Sequence, residues 1–266
     1  MQVTLAHLTL ARCLNNGAKG MREMSAVLPI LLVTRPDPAA RRFLAAVRAA
    51  GAVPFWAVTA PVLTIRPLPV EVQSAGLAGI ILTSAHGAEA ANRLGLPKGL
   101  RAFCVGERTA EVARGAGFAP ISADGDAGDL VALILSQAPG GPLLHLRGAH
   151  VRGDVAARLN AAGLHCREAV VYDQIETPLT PEAIAALRGD VPVVLPLFSP
   201  RSGTILQQAG PFRAPLHVLA ISPAVGATVA TVQAQTRAIA GAPTGSAMVA
   251  GTVSLLAALA KSAPSP

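Results

Sequence analysis

The chain has 266 residues, of which 52% are hydrophobic and only 3% aromatic, and its formal net charge is +7. This composition is typical of a globular protein with a substantial core, and the length suits one large domain or two small ones. The basic balance favours an anionic partner, but the scarcity of aromatic residues and of basic runs argues against nucleic-acid binding. No apolar run reaches the roughly 18 residues needed to span a bilayer, so no membrane partner is expected.

Three cysteines, Cys13, Cys104 and Cys166, are spread widely along the chain. An odd number at such spacing supports neither a disulfide framework nor a zinc site, and we predict that the thiols of Cys104 and Cys166 are free and buried. The six histidines show no metal-ligand spacing. The acidic residues between positions 124 and 129 lack the closing glutamate of a calcium loop, and we expect them to cap a helix. No metal site is therefore predicted.

The amino-terminal 28 residues lack the basic start, apolar middle and cleavage pattern of a secretory signal, and we expect a disordered extension there. Structure is predicted to begin with a strand at residues 29–34. A helix at residues 39–50 follows, with Asp37 as its expected cap, Pro38 at its first position and Gly51 at its end. A further strand at residues 53–58 completes a β-α-β unit, which indicates a parallel sheet with a right-handed crossover.

Prolines then flank a short alternating segment at residues 62–65, which suits an extended edge rather than a central strand. From residue 70 onward, apolar runs alternate with helical periodicity, which predicts a complete doubly wound domain. Its strands are predicted at residues 79–83, 101–105, 119–122 and 143–146, and its helices at 85–93, 107–114, 130–137 and 154–162. Residues 165–175 read as one long extended segment, which could pair with residues 62–65.

The same alternation resumes near residue 181 and continues to the end of the chain. Strands are predicted at residues 193–198, 217–221 and 236–240, and helices at 181–187, 199–208, 222–232 and 246–260. Three segments of the two blocks resemble each other: 31–35 matches 143–147, 80–84 matches 194–199, and 103–106 matches 219–222. In chain order the matching units are circularly permuted, so the first strand and helix are expected to join the last block.

These patterns predict an α/β protein with two doubly wound parallel-sheet domains of the flavodoxin or Rossmann type. The second domain is inserted in the first, and a two-stranded tether joins them. We assign residues 29–58 and 177–266 to domain one, residues 67–165 to domain two, and residues 59–66 and 166–176 to the tether. We expect a cleft between the domains, lined by strand-end loops, because ligands favour such places.

Polar residues suited to binding an anion follow the predicted strands. The sequence contains no G-x-G-x-x-G, no P-loop and no G-x-S-x-G, and no nucleophile–base pair can be argued from it. The strand-end residues are arginines (35, 147, 152 and 201), hydroxyl residues (83, 84, 109, 199, 202 and 222) and glycines (106, 148 and 203). Arginines, helix amino termini and exposed backbone suit a ligand with several carboxylates. The alternative is that the hydroxyls cap helices and the arginines are solvated.

Two histidines near these strand ends are candidates for chemistry as well. His86 follows the strand end at residues 83–84 and could serve in acid–base work, although a solvated loop histidine is the plainer interpretation. His145 lies within a predicted strand, where a core or edge residue is expected.

An ordered set of motifs resembles the uroporphyrinogen-III synthase family. The set comprises Val33-Thr-Arg-Pro36, Leu82-Thr-Ser84, Val105-Gly-Glu-Arg-Thr-Ala110, Leu146-Arg-Gly148 with Arg152, Val170-Val-Tyr172 and Phe198-Ser-Pro200. No single motif is diagnostic, but the resemblance covers nearly all of the chain from Leu31 to Leu259.

The resemblance implies a cofactor-free cytoplasmic enzyme of tetrapyrrole biosynthesis. It would cyclise hydroxymethylbilane, a linear tetrapyrrole with acetate and propionate groups, to uroporphyrinogen III. The reaction would expel the substrate's hydroxyl and close the ring with inversion of the last pyrrole. Catalysis would rest on holding the chain folded rather than on a strong acid or nucleophile. A monomer is implied, and a transient contact with the preceding pathway enzyme is left open.

The resemblance also implies site residues. Tyr172 matches the family tyrosine on the tether, and its phenol could donate a hydrogen bond to the departing hydroxyl; the alternative is packing of the tether. The expected substrate-binding residues are Arg35, Thr83, Ser84, Gly106, Thr109, Arg147, Gly148, Ser199, Ser222, Ala224 and Val225. Ala224 and Val225 stand where the family often has hydroxyl residues, so that turn would contribute backbone N–H groups.

Two other functions compete with the cyclising synthase. One is a non-catalytic two-domain protein that closes on a small polyanionic ligand. The other is a nucleic-acid-binding regulator that uses the basic surface, although the dispersed charge disfavours it.

Overall fold

The computed structural model describes residues 28–150 and 153–262. Almost all of the expected amino-terminal extension, and also Arg152, lie outside these described residues. The chain divides into two compact units. Unit one ends at Thr64 and resumes at Glu176, and unit two comprises Ile65–Ile175.

Strands and helices alternate along most of the described chain. The strands are β1 (Ile30–Val33), β2 (Trp56–Thr59), β3 (Leu63–Pro67), β4 (Gly79–Leu82), β5 (Arg101–Cys104), β6 (Ala119–Ser122), β7 (Leu143–Gly148), β8 (Cys166–Glu176), β9 (Val193–Leu197), β10 (Leu216–Ala220) and β11 (Thr236–Ile239). The helices are α1 (Ala39–Ala49), α2 (Ala85–Arg93), α3 (Glu107–Gly115), α4 (Ala127–Gln137), α5 (Val155–Ala161), α6 (Pro181–Arg188), α7 (Pro200–Ala209), α8 (Pro223–Ala227) and α9 (Gly245–Ser262).

Unit one is built on a five-stranded sheet in the order β11-β10-β9-β1-β2, and its strand pairs are parallel. Alternate residues of β1 enter different cores because successive side chains of a strand point to opposite faces. Leu31 packs with α1 and α9, whereas Leu32 packs with α6, α7 and α8. Helices therefore cover both faces, as expected for a doubly wound sheet.

Unit two has a six-stranded sheet in the order β3-β8-β7-β4-β5-β6. Its strands from β8 to β6 pair in parallel. The backbone N–H of Thr177 donates to Val62 O, and that of Leu68 donates to Val171 O. Because one partner rises in number as the other falls, β3 and β8 run antiparallel. The expected pairing of the two tether segments is confirmed, and both belong to this sheet.

The two sheets share one strand order. Reading from β2 in unit one gives β2-β1-β9-β10-β11, and reading from β8 in unit two gives β8-β7-β4-β5-β6. Each internal match found in the sequence therefore pairs strands at equivalent positions. The predicted α/β class with parallel-dominated sheets is confirmed.

Two local expectations are wrong. Pro38, not Asp37, is the N-cap of α1, because Pro36 O already accepts the N–H groups of Ala39 and Ala40 in a backbone turn. The carboxylate of Asp37 instead pairs with Arg41 at 3.4 Å. The helix expected at residues 222–232 ends at Ala227, after which backbone bonds reach only three residues back. Several β-branched residues follow there, and such residues favour a helix less.

Other local expectations are confirmed. Asp126 caps α4 in a capping box with Asp129. Cys104 and Cys166 are buried free thiols, and burial raises their pKa values to about 12 and about 11, respectively. Within the described ranges, no helix is long and apolar enough to cross a membrane.

Candidate functional site

The end of β4 delivers two hydroxyl side chains. Ser84 is the N-cap of α2, in extended backbone, and its Oγ accepts the N–H of Gly87 at 3.2 Å. A Cβ on Gly87 would lie 2.8 Å from Leu146 O, so only glycine lets this first turn approach β7 so closely. Ser84 therefore does cap a helix, and the cap hydrogen bond fixes the direction of its side chain.

Tyr172 reaches the same serine from β8. Its phenol oxygen lies 2.9 Å from Ser84 Oγ, and the residue is only 6% exposed. The register of β8 against β7 shifts between Arg147 and Gly148, which places Tyr172 opposite Gly148. A Cβ at position 148 would lie 2.7 Å from two ring carbons of the tyrosine. Gly148 is therefore needed for the tyrosine ring to lie against β7.

The environment of Tyr172 favours a protonated phenol. Burial raises its pKa, although the hydrogen bond with Ser84 opposes this effect. The His86 ring meets the Tyr172 ring edge-on, with 5.5 Å between centroids, and His86 Nδ1 lies 3.2 Å from Glu89 Oε2. The arrangement places a neutral hydroxyl donor, rather than a phenolate, beside the strand ends.

A second set of contacts involves Thr83 and a buried histidine. Thr83 Oγ1 lies 3.3 Å from Nε2 of His145, which is 2% exposed, and His145 Nδ1 lies 3.2 Å from Glu168 Oε1. Arg147 Nε lies 3.1 Å from Glu168 Oε2, and Arg147 also donates to the carbonyl oxygen of Gly148 at 3.1 Å. Arg147, expected to bind substrate, thus has a partner within the protein.

The amino terminus of α3 has a different structure. Gly106 is its N-cap in extended backbone, and a Cβ there would meet no described atom within 4 Å. Glycine is therefore not required by sterics at this position. Thr109 is 5% exposed on the first turn, and its N–H donates to Gly106 O.

In unit one, Arg35 and Ser199 follow β1 and β9, respectively. The Arg35 guanidinium lies 4.0 Å from the centroid of the Phe198 ring, and burial, with the charge of Arg42, lowers the pKa of Arg35. Ser199 caps α7 by accepting the N–H of Ser202 at 3.1 Å, and the two serine hydroxyls are 2.8 Å apart. Arg201 pairs loosely with Glu176 at 3.9 Å.

Ser222 is the N-cap of α8, a helix of only five residues. Ala224 is exposed, whereas Val225 is 2% exposed and belongs to the core of unit one. The N–H of Val225 already donates to Ser222 O at 3.1 Å. Neither the Val225 side chain nor its N–H is therefore directed outward in this structure.

The structure brings together some of the expected residues and adds two more. In unit two, Ser84, Gly148 and Tyr172 form one constellation, and Thr83 lies beside it along the chain. The sequence did not predict the contact between His145 and Glu168. These residues are 23 positions apart, and only the pairing of β7 with β8 brings them together. Within the described part of the chain, no group of three potential metal ligands occurs.

Comparisons with known proteins agree with this architecture. The family profile described as uroporphyrinogen-III synthase HemD matches residues 41–250. The structure of uroporphyrinogen-III synthetase from Helicobacter pylori 26695 is 16% identical, with a TM-score of 0.61, and the match covers 86% of this chain and 99% of that one. At this identity the likeness bears on the fold alone.

A mutant uroporphyrinogen III synthase from Thermus thermophilus is 17% identical over 86% of this chain and 99% of that one. Its TM-score of 0.49 is too low to add to the argument. No curated protein sequence matches. The profile spans well over half of the chain, and this protein therefore belongs to the uroporphyrinogen-III synthase family.

Proposed function

We propose that this protein cyclises hydroxymethylbilane to uroporphyrinogen III, with loss of water and inversion of the terminal pyrrole ring. It would act as a cyclising lyase of tetrapyrrole biosynthesis. Membership of the family supports this reaction, and the net charge of +7 suits a substrate that carries many carboxylates. The observation that carries the proposal is the Tyr172–Ser84 contact of 2.9 Å at the end of β4.

The helix cap is compatible with a hydrogen bond in which Ser84 donates to Tyr172. Ser84 Oγ accepts the N–H of Gly87, which uses one lone pair and leaves the serine hydrogen to donate. If Ser84 donates to the oxygen of Tyr172, the phenolic hydrogen is available to a substrate. Ser84 would thus orient Tyr172 as a donor.

The proposed role of Tyr172 is to assist departure of the substrate hydroxyl. As the carbon–oxygen bond breaks, negative charge develops on the leaving oxygen, and a hydrogen bond to it strengthens. The raised pKa of Tyr172 keeps the phenol protonated at neutral pH, so it can donate. Such a donor in a partly buried site contributes about 1.5–3 kcal/mol, or about 10- to 100-fold in rate.

The remaining proposed residues would hold the substrate rather than react with it. Arg35 offers a charge-assisted contact to a carboxylate, and the capped amino termini of α2 and α7 offer helix dipoles. Binding would hold the flexible substrate so that the correct carbon lies next to the reactive methylene. Such positioning of the reacting groups increases the rate of the reaction.

The first experiment identifies the product. Purified protein is supplied with freshly made hydroxymethylbilane, the products are oxidised, and the uroporphyrin isomers are separated. A dominant type III isomer is expected. Only the type I isomer, which forms by unassisted closure, would refute the reaction and favour a protein that binds a polyanion without turnover.

The second experiment tests Tyr172. The variant Tyr172→Phe keeps the ring packed against Gly148 but removes the hydroxyl, so kcat should fall about 10- to 100-fold. KM should change little if the contact forms mainly in the transition state. An unchanged kcat in a folded variant, judged by circular dichroism, would assign Tyr172 to packing alone.

The expected context of the protein is also proposed. We propose a cytoplasmic monomer that needs no cofactor, with units one and two as its domains and β3 and β8 as the connecting strands. Size-exclusion chromatography with light scattering tests the monomer. Activity that persists after dialysis against a chelator tests the independence from metal.

A further inference from the structure

The contacts between Glu168, His145 and Thr83 point to a function for this network around a buried histidine. We propose that Glu168 and His145 are positioning residues that hold the Thr83 hydroxyl as a hydrogen-bond acceptor for the pyrrole N–H groups of the substrate. This inference rests on the proposed function and names the part of the substrate that Thr83 recognises.

The first step concerns the proton on the imidazole. An ionised carboxylate can only accept hydrogen bonds, so the His145 nitrogen that faces Glu168 at 3.2 Å must carry the hydrogen. Arg147 Nε lies 3.1 Å from the other carboxylate oxygen and forms an ion pair with Glu168. His145 therefore has its hydrogen on Nδ1.

The second step concerns the net charge of the ring. His145 is 2% exposed, and burial lowers its pKa, although the hydrogen bond and the charge of Glu168 act in the other direction. Arg147 also lowers this pKa. The ring is therefore neutral at physiological pH, and Nε2 has a lone pair and no hydrogen.

The third step concerns the direction of the hydrogen bond between His145 and Thr83, which follows β4. With Nε2 as an acceptor 3.3 Å away, Thr83 donates its only hydroxyl hydrogen to His145. Thr83 is a partly exposed residue, and its oxygen is left with lone pairs, which accept from N–H groups and repel carboxylates. A pyrrole nitrogen is a donor, whereas the side chains of the substrate end in acceptors. Thr83 would thus discriminate between these two parts of one ligand.

A carboxylate, an imidazole and a hydroxyl in sequence also resemble a nucleophilic triad. In such a triad the imidazole must become a cation while it removes the hydroxyl proton. Burial and the neighbouring Arg147 both oppose a cation at His145. The network therefore suits fixed polarity rather than proton transfer.

The direct test is the tautomer of His145. Spectra of the full chain labelled with ¹⁵N-histidine, assigned by loss of one ring signal in His145→Gln, should show hydrogen on Nδ1 at neutral pH. This measurement needs no turnover. A ring protonated on Nε2, or an imidazolium, would overturn the inference even if the protein forms the type III isomer.

Kinetics test the consequence at Thr83. Thr83→Val removes the oxygen with little change in volume, and KM for hydroxymethylbilane should rise about 10-fold with a smaller change in kcat. Thr83→Ser, which restores the hydroxyl, should recover most of the affinity. Equal KM values for Thr83→Val and the parent chain would refute the contact.

The chain offers a matched control in unit one. His217 Nδ1 lies 3.1 Å from Thr236 Oγ1, but this pair is at the amino ends of β10 and β11, away from the strand ends that carry the candidate site. Thr236→Val should leave KM unchanged. An equal rise in KM there would show a general effect of losing a histidine–threonine contact and would overturn the assignment. Exclusive type I product from the parent chain would instead refute the proposed function.

Discussion

Two serines at equivalent strand ends have the same structural task and different neighbours. Ser84 follows β4 and Ser199 follows β9, strands at the centre of their sheets, and each caps the next helix through its side chain. Beyond the cap, Ser199 contacts Ser202 on its own helix, whereas Ser84 contacts Tyr172, which lies 88 residues away. The capping serine of unit two therefore also contacts an aromatic hydroxyl from a distant strand, whereas the capping serine of unit one makes a local contact.

The next strand in each sheet, β5 or β10, is followed by a helix whose first turn has a buried residue at the same position. Thr109 and Val225 each lie three residues after an N-cap, and both are buried. Threonine and valine have similar shapes, so the position is a packing position in both units. Val225 packs on the core of unit one rather than facing outward.

The largest effect is expected where one atom would displace the tyrosine. Gly148→Ala places a Cβ 2.7 Å from the ring, so the ring or the strand must shift. Such overpacking costs about 1–3 kcal/mol, and a tyrosine displaced by about 1 Å would lower kcat about 100-fold. Urea unfolding and the isomer assay measure the two effects.

The control for this variant is Gly115→Ala. Gly115 is exposed in the last turn of α3, and a Cβ there meets no described atom within 4 Å, so the cost should stay below about 1 kcal/mol. If both alanine variants lose activity equally, the steric argument for Gly148 is wrong.

A smaller effect should separate the two serines. Ser84→Ala and Ser199→Ala each lose a helix cap, worth about 1 kcal/mol. Only Ser84→Ala should also lower kcat, by about 10-fold, because it releases the orientation of Tyr172. Ser199→Ala should act on KM alone. Equal kcat values for the two variants in parallel assays would contradict the difference between the units.

The pH dependence of stability should separate His145 from His217, the two histidines whose pKa values are lowered by burial. Burial lowers the pKa of His145 below its usual 6.5. As the pH falls through 6.5, His145 therefore becomes protonated in the unfolded chain but stays neutral in the folded chain. Stability contributed by the neutral ring is present above that pH and is lost below it, by at most about 1.4 kcal/mol per pH unit.

His145→Gln should therefore flatten the fall in unfolding free energy between pH 7 and about 5. His217→Gln should flatten this fall less. Burial also lowers the pKa of His217, but this ring is only half-buried. Urea titrations at several pH values measure both slopes. A larger change in the His217 variant would reverse the ranking of the two sites.

The smallest effect is expected at Ala224. The residue is exposed on the first turn of α8, so Ala224→Thr should change stability by no more than about 0.5 kcal/mol. KM should change by less than about twofold if the backbone of this turn suffices. A clear fall in the KM of Ala224→Thr would show that a hydroxyl at this position improves substrate binding and that the backbone alone does not suffice.

Local sequence signals specify the elements and their equivalence. The helix Ala85–Arg93 and the strand Ala119–Ser122 are predictable to the residue, because apolar spacing and glycine or serine punctuation mark their ends locally. The permuted repeat also predicts that the first strand joins the last block, and β1 does lie in the sheet of that block, beside β9. Local rules fail at Asp37, where a backbone turn replaces the cap, and after Ala227.

The contacts of the candidate site depend instead on how the strands pair. The register shift that sets Tyr172 against Gly148 has no sequence signal, because a bulge is fixed by the pairing of two strands. The same pairing brings Glu168 to His145, so a histidine that reads as core becomes part of a polar network. Periodicity reports which face a residue occupies, whereas the neighbour across a sheet depends on register, which is set only in the folded chain.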